Sequence, residues 1–281
     1  MTNPTTYHRP STLAEAAQAL AAPDSIALSG GALLLGSLDL PYAQIVDLQG
    51  ITELRGIDLI ETGCRIGGAV TLQEIAQLSG LDPVFQRALT RCIPLNIRCG
   101  TSLHDTLMLP ESVMLREWWA ALAALDARTH WQTSHNERVS FGITELMAHW
   151  EEGGGTPGIL VQMDLVMEKG YRHALGASHV ARTPADEPLV NAAVYMRLDA
   201  EATVDQLFGA VCGASSAPVT LVTLPIEPHL PIADIDVAAL TASLEEQFDA
   251  QDDWLASAIY RRAMATVCVR RALHACMAQL A

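Results

Sequence analysis

The sequence predicts a chain of mixed helices and strands in two parts, and three observations carry that prediction. Capped amphipathic helices alternate with short apolar runs over the first part. Polar and glycine residues cluster between Lys169 and Ala177, which places a boundary there. Beyond the cluster, strand-like runs give way to a helical tail.

Thr12-Leu-Ala-Glu15 has the spacing of a capping box, and Leu13, Ala16, Ala17 and Leu20 share one helical face, so a helix is expected to about Ala22. Pro23-Asp24 ends it. Ile26 to Leu28 reads as a strand closed by Gly30-Gly31, and Gln44 to Leu48 as a second; a helix between strands is the pattern of a parallel unit. Arg65 to Val70 is the next strand and carries Gly67-Gly68. A second capping box, Thr71-Leu-Gln-Glu74, opens a short helix to Leu78. Pro83 to Arg91 is expected to be helical, Pro94 to end that helix, and Ile97 to Asp105 to form a polar loop before the apolar segment Trp118 to Leu125.

Strands are expected at 127–132 and 138–141, a helix at Thr144 to Trp150, a glycine-rich loop at Glu151 to Gly158, and a strand at Ile159 to Met167. In the second part, Ala181 to Pro188 is a turn-rich link. Strands are expected at Leu189 to Leu198, Phe208 to Ala214 and Val219 to Leu224. Helices are expected at Val237 to Phe248 and Trp254 to Leu280, with Leu255, Ile259, Val267, Leu273 and Leu280 facing the core. The pairs Arg261-Arg262 and Arg270-Arg271 read as solvated or ion-paired, or as a docking contact for a partner subunit.

Half of the 281 residues are apolar and 17% are charged, which excludes general disorder and allows a sizeable core. A net charge of −15 argues against non-specific nucleic-acid binding. No apolar run has the length of a membrane span, and the first ten residues lack a signal-peptide core. The six cysteines form no Cys-x-x-Cys pair and read as reduced, cytoplasmic thiols. The nine histidines show no zinc spacing, so no metal ligand is assigned.

Ser29-Gly30-Gly31-Ala32-Leu33-Leu34 is the candidate binding stretch. Adjacent glycines after a strand either make an ordinary turn or expose backbone N–H groups that can cradle an anion such as a pyrophosphate.

Taken together, these residues resemble the FAD-binding (medium) subunit of molybdenum hydroxylases, the flavoprotein family of carbon monoxide and xanthine dehydrogenases. The resemblance rests on Tyr7-x-Arg9-Pro10, Ser29-Gly30-Gly31, Ile45-Val-Asp-Leu48 with Ile51-x-Glu53-Leu54, and Ile66-Gly-Gly-Ala-Val-Thr71. Further matches are Ile97-Arg98, Gly100-Thr101, Leu122-Ala-Ala-Leu-Asp-Ala127, Arg182-Thr-Pro-Ala-Asp186, Tyr260-Arg-Arg262 and Arg270-Arg-Ala-Leu273.

The resemblance implies a two-lobed vanillyl-alcohol-oxidase-like FAD domain at 1–172, with lobes of about 1–56 and 57–172. A smaller α+β domain, an antiparallel sheet with helices, is implied at 173–281. It implies electron transfer through FAD from an iron–sulfur subunit to an external acceptor, with substrate oxidised on a molybdenum-containing large subunit. The assembly would be a hetero-oligomer or homodimer, and the chain would supply no acid, base or nucleophile.

Two glycine loops hold the pyrophosphate in such proteins. Their positions here are Ser29 to Leu34 and Gly100-Thr101-Ser102, with Asp105 standing where the family has an asparagine. This chain departs from the pattern at Ala32, Leu33, Leu103, His104 and Asp105. A second expectation follows from those changes: a degenerate relative that acts as a structural partner without flavin.

Overall fold

The computed structural model describes residues 4–33, 42–60, 63–167, 171–183 and 186–281. The chain forms two compact units. One comprises Met1–Ser79, Ile93–Pro110 and Ala127–Val166; the other comprises Gly80–Cys92, Glu111–Asp126 and Met167–Ala281.

The first unit holds two sheets. Strands β1 (Thr6–His8), β2 (Ser25–Leu28) and β3 (Gln44–Asp47) are parallel in the order β1-β3-β2, with Ile45 opposite both Tyr7 and Ile26. The helix Leu13–Leu20 connects β1 to β2 and buries Leu13, Ala16 and Ala17. Thr12 caps it by accepting the Glu15 N–H, while the Glu15 carboxylate accepts from the Ser11 N–H at 2.8 Å and from the Ser11 hydroxyl at 3.0 Å. Asp24 sits at φ +53, so the Pro23-Asp24 turn stops the helix as expected.

The second sheet is antiparallel. It is built from β4 (Ile57–Ile60), β5 (Gly63–Gly67), β6 (Arg128–Gln132), β7 (Arg138–Gly142) and β8 (Ile159–Val166), in the order β4-β5-β8-β6-β7. Leu13, Ala16, Val46, Leu48, Ile51 and Leu54 join Ile159 and Val161 in one core. Where the sequence predicts a polar loop, the chain forms two short helices, Leu95–Gly100 and Leu103–Leu107. Pro94 precedes the first. Ser102 and Asp105 form a capping box on the second, each side chain accepting from the other's N–H.

The second unit is a four-stranded antiparallel sheet. Strands β9 (Arg172–Val180), β10 (Val190–Leu198), β11 (Val204–Cys212) and β12 (Thr220–Val222) lie in the order β12-β11-β10-β9. Strand β9 occupies most of the stretch expected to be a boundary. Two helices N-terminal to that stretch, Pro83–Cys92 and Arg116–Ala124, belong to this unit. Trp118 and Trp119 on the latter are fully buried, and Phe85 packs edge-on against Trp118.

The helix Ala258–Leu280 crosses β9 so closely that a Cβ at Gly176 would lie 2.0 Å from the Ala272 carbonyl oxygen. Its buried stripe includes Arg261, Ala265, Cys268, Ala272, Leu273, Cys276 and Leu280, whereas Ile259 is exposed and Leu255 and Val267 are half-buried. The expected helix at Val237 to Phe248 is shorter. It is a turn of α-helix, Val237–Leu240, followed by a 3₁₀ turn, Leu244–Gln247. The Thr241 hydroxyl donates to the Val237 carbonyl where the α-helix ends.

Candidate functional site

The turn after β2 has the backbone of an anion cradle. Gly30 and Gly31 adopt φ of +104° and +77°, in the left-handed region that favours glycine. A Cβ at Gly30 would lie 2.5 Å from the Gly100 carbonyl oxygen, so the two expected loops touch at this point. The Ala32 N–H donates to that same carbonyl at 2.9 Å, and the Leu33 N–H donates to Thr101 Oγ1 at 3.2 Å. Ser29 to Leu33 therefore lie against Gly100 and Thr101; Leu34 lies outside the described residues.

The cradle already holds an anion, and it is Asp105. The Ser29 N–H donates to its Oδ1 at 2.9 Å, and the Gly31 N–H to its Oδ2 at 2.8 Å; the Ser102 N–H adds a longer bond of 3.3 Å. The side chain is fully buried. Burial pushes its pKa up to about 6, against the opposing pull of the Gly31, Ser29 and Ser102 amides.

His104 and Leu103 are also fully buried. The backbone amides of both are consumed, by the carbonyls of Gly68 and Val70 respectively, each at 2.8 Å. The imidazole packs edge-on to Trp131 and accepts the Leu160 N–H on Nδ1. Burial pushes its pKa down to about 4, so it is neutral near pH 7 and does not offset the Asp105 charge. The signal for this arrangement was present in the sequence: Ser102-x-x-Asp105 is itself a capping-box spacing.

Two other motif segments have structural roles. The Tyr7 hydroxyl donates to the Asp47 carboxylate at 2.7 Å, joining the first motif to β3 beside it in the sheet. Gly67 and Gly68 serve close packing, because a Cβ there would lie 2.3 Å from the Leu54 oxygen and 2.0 Å from the Leu160 oxygen. A cavity of about 300 Å³ opens beside β2, lined by residues including Ser25, Ala27, Tyr42, Met108 and Pro157 and by none of the cradle residues.

Residues 3–152 match the profile of the family described as the FAD binding domain in molybdopterin dehydrogenase. The chain belongs to that family. A xanthine dehydrogenase FAD-binding subunit of Escherichia coli O157:H7 is 41% identical over 88 residues, a stretch covering 30% of this chain and 29% of the relative. The match thus spans less than a third of that relative's length.

Similarity to solved structures of this family's fold extends over the whole chain. A carbon monoxide dehydrogenase from Hydrogenophaga pseudoflava superposes with a TM-score of 0.80 at 20% identity, covering all of both chains. A quinoline 2-oxidoreductase from Pseudomonas putida 86 gives 0.81 at 18% identity, covering 99% of this chain and 98% of that one. At such identities the likeness is one of fold. Among the described residues no helix is long and apolar enough to cross a membrane.

Proposed function

We propose that this chain is the FAD-binding, electron-transfer subunit of a molybdenum hydroxylase, taking electrons from an iron–sulfur subunit and passing them to an external acceptor. The observation that carries the reading is the glycine turn. Within a family-matched domain, the Ser29 and Gly31 amides converge on a carboxylate, so this backbone binds anionic oxygen. The amides of Ser29, Gly31 and Ser102 therefore fit a pyrophosphate, provided the Asp105 carboxylate gives way, while the Ala32 and Leu33 amides, spent on Gly100 and Thr101, brace the turn around them. When bound, the flavin supplies the redox chemistry, and the protein supplies orientation and shielding from water.

In this reading 1–172 acts as the FAD domain, with lobes of about 1–56 and 57–172, and 173–281 as the C-terminal domain of the carbon monoxide dehydrogenase flavoprotein type. A molybdenum-bearing large subunit sets the substrate; similar proteins are named for xanthine, carbon monoxide and quinoline. Cys64, Cys99, Cys212, Cys268 and Cys276 are free thiols, in keeping with a cytoplasmic setting.

The occupied cradle favours a second reading, a flavin-free structural partner in the same kind of complex. Purification of the chain decides between them. Flavin absorbance with FAD released on heating is the expected result, and a protein that stays colourless after incubation with FAD at both acidic and neutral pH supports the scaffold.

A further inference from the structure

A carboxylate seated in an anion cradle competes with any anion the cradle takes. Each backbone N–H carries one hydrogen, so the Ser29 and Gly31 amides engaged by Asp105 at 2.9 and 2.8 Å cannot also hold phosphate oxygens at full strength. Nor is the carboxylate interchangeable with the family's asparagine. Oδ1 and Oδ2 of Asp105 both accept, and an asparagine amide would turn an N–H₂ group toward one of those donors.

We propose that Asp105 is an internal gate on the phosphate cradle: its carboxylate and a nucleotide's pyrophosphate exclude one another at the amides of Ser29 and Gly31. A nucleotide enters when Asp105 is neutralised or swings away. The identity of that nucleotide as FAD rests on the reading given above; the competition itself rests on the geometry.

The groups facing the carboxylate are the amides of Ser29 and Gly31 from the turn after β2, and the amide and hydroxyl of Ser102 from the start of the Leu103–Leu107 helix. The neighbouring His104 turns instead to the Leu160 amide on β8 and is uncharged near neutral pH. No charged side chain contributes to the Asp105 shift, which puts its ionisation at about pH 6. The pyrophosphate of FAD keeps its charge across this range, so a titration of binding there belongs to the protein.

The test is FAD binding to the full chain, followed by flavin fluorescence between about pH 5 and 8, for wild type and Asp105→Ala. Wild-type affinity is expected to weaken above about pH 6, by up to roughly tenfold per pH unit, as for a like charge forming in the site. Asp105→Ala is expected to bind with little pH dependence, and at pH 8 about 10- to 100-fold more tightly than wild type. Binding by the variant alone also supports the gate.

The wild-type series needs no substitution and stands even if the variant does not fold. A flat wild-type curve, or equal affinities at pH 8, overturns the gate and leaves the flavin reading standing. Absence of binding by either form at every pH overturns both.

Discussion

Leu160 donates its backbone N–H to Nδ1 of His104 at 3.2 Å, which leaves the proton of the neutral ring on Nε2. A buried neutral histidine therefore sits one residue before a buried carboxylate, and burial shifts the two in opposite directions, His104 down to about 4 and Asp105 up to about 6.

These shifts give a pH signature. His104 takes up its proton more readily unfolded, so its share of stability is present above about pH 6.5 and is lost as pH falls toward 4. Asp105 holds its proton more tightly folded, so its share is present below about pH 3.8 and is lost as pH rises through 6. The slopes oppose one another, and their joint contribution between about pH 4 and 6 is nearly flat. Urea unfolding of His104→Asn should show stability falling with pH over this window, and Asp105→Asn should show it rising, each by up to about 1 kcal/mol per pH unit relative to wild type. Parallel profiles for the two variants would contradict the assignment.

Gly68→Ala should destabilise the chain by about 1–3 kcal/mol, since the added methyl would lie 2.0 Å from the Leu160 carbonyl oxygen, which is backbone and cannot rotate aside. Gly80→Ala meets no atom within 4 Å, but Gly80 has φ +90, so its smaller loss would come from strain alone. Thermal melts of both variants rank the two effects.

Arg261 is buried, and its Nη1 donates to the carbonyls of Leu189 at 2.8 Å and Gly213 at 2.9 Å, while Nη2 meets Asp253 at 2.7 Å. A lysine cannot reproduce that fork, so Arg261→Lys should cost about 2–4 kcal/mol by denaturant unfolding. The same change at the adjacent Arg262, which is half-buried, should stay within about 0.5 kcal/mol.

Thiol labelling should be selective. Burial pushes Cys212 and Cys276 up to about 12 and Cys268 up to about 11, while Cys99 is exposed. At pH 8 these three buried thiols are thiolate to only about one part in a thousand or less, so iodoacetamide followed by mass spectrometry should find Cys99 modified before Cys212, Cys268 and Cys276. Early labelling of Cys212 would mean that the sheet of the second unit opens readily.

Local chemistry was legible in the sequence; contacts made across the chain were not. The Leu13–Leu20 helix follows from the Thr12 cap and its apolar face, and the Gly30-Gly31 turn from its dipeptide. Strand β9 was hidden because Gly176, which reads as a breaker, is there to let the helix carrying Ala272 pass. The same helix misled in another way. Its buried stripe mixes the small Ala265, Cys268, Ala272 and Cys276 with Val269, Leu273 and Leu280, so large aliphatic character alone points wrongly to Ile259, which is exposed. At the site, polar composition suggested a solvated loop at 97–105, whereas His104 and Asp105 are core residues held by backbone partners 56 and 74–76 positions away.

The second unit is assembled from three separated stretches of chain, and this bears on how the protein is made. The Arg116 carbonyl accepts from the Asn191 side chain at 3.2 Å and from the Cys212 thiol at 3.3 Å, both on strands that leave the ribosome well after the Arg116–Ala124 helix. At ordinary translation speeds that helix, with Trp118 and Trp119, waits on the order of several seconds for its cover. A fragment started near residue 173 would be missing it altogether, so transplanting the C-terminal portion into another protein requires carrying the 116–124 segment along.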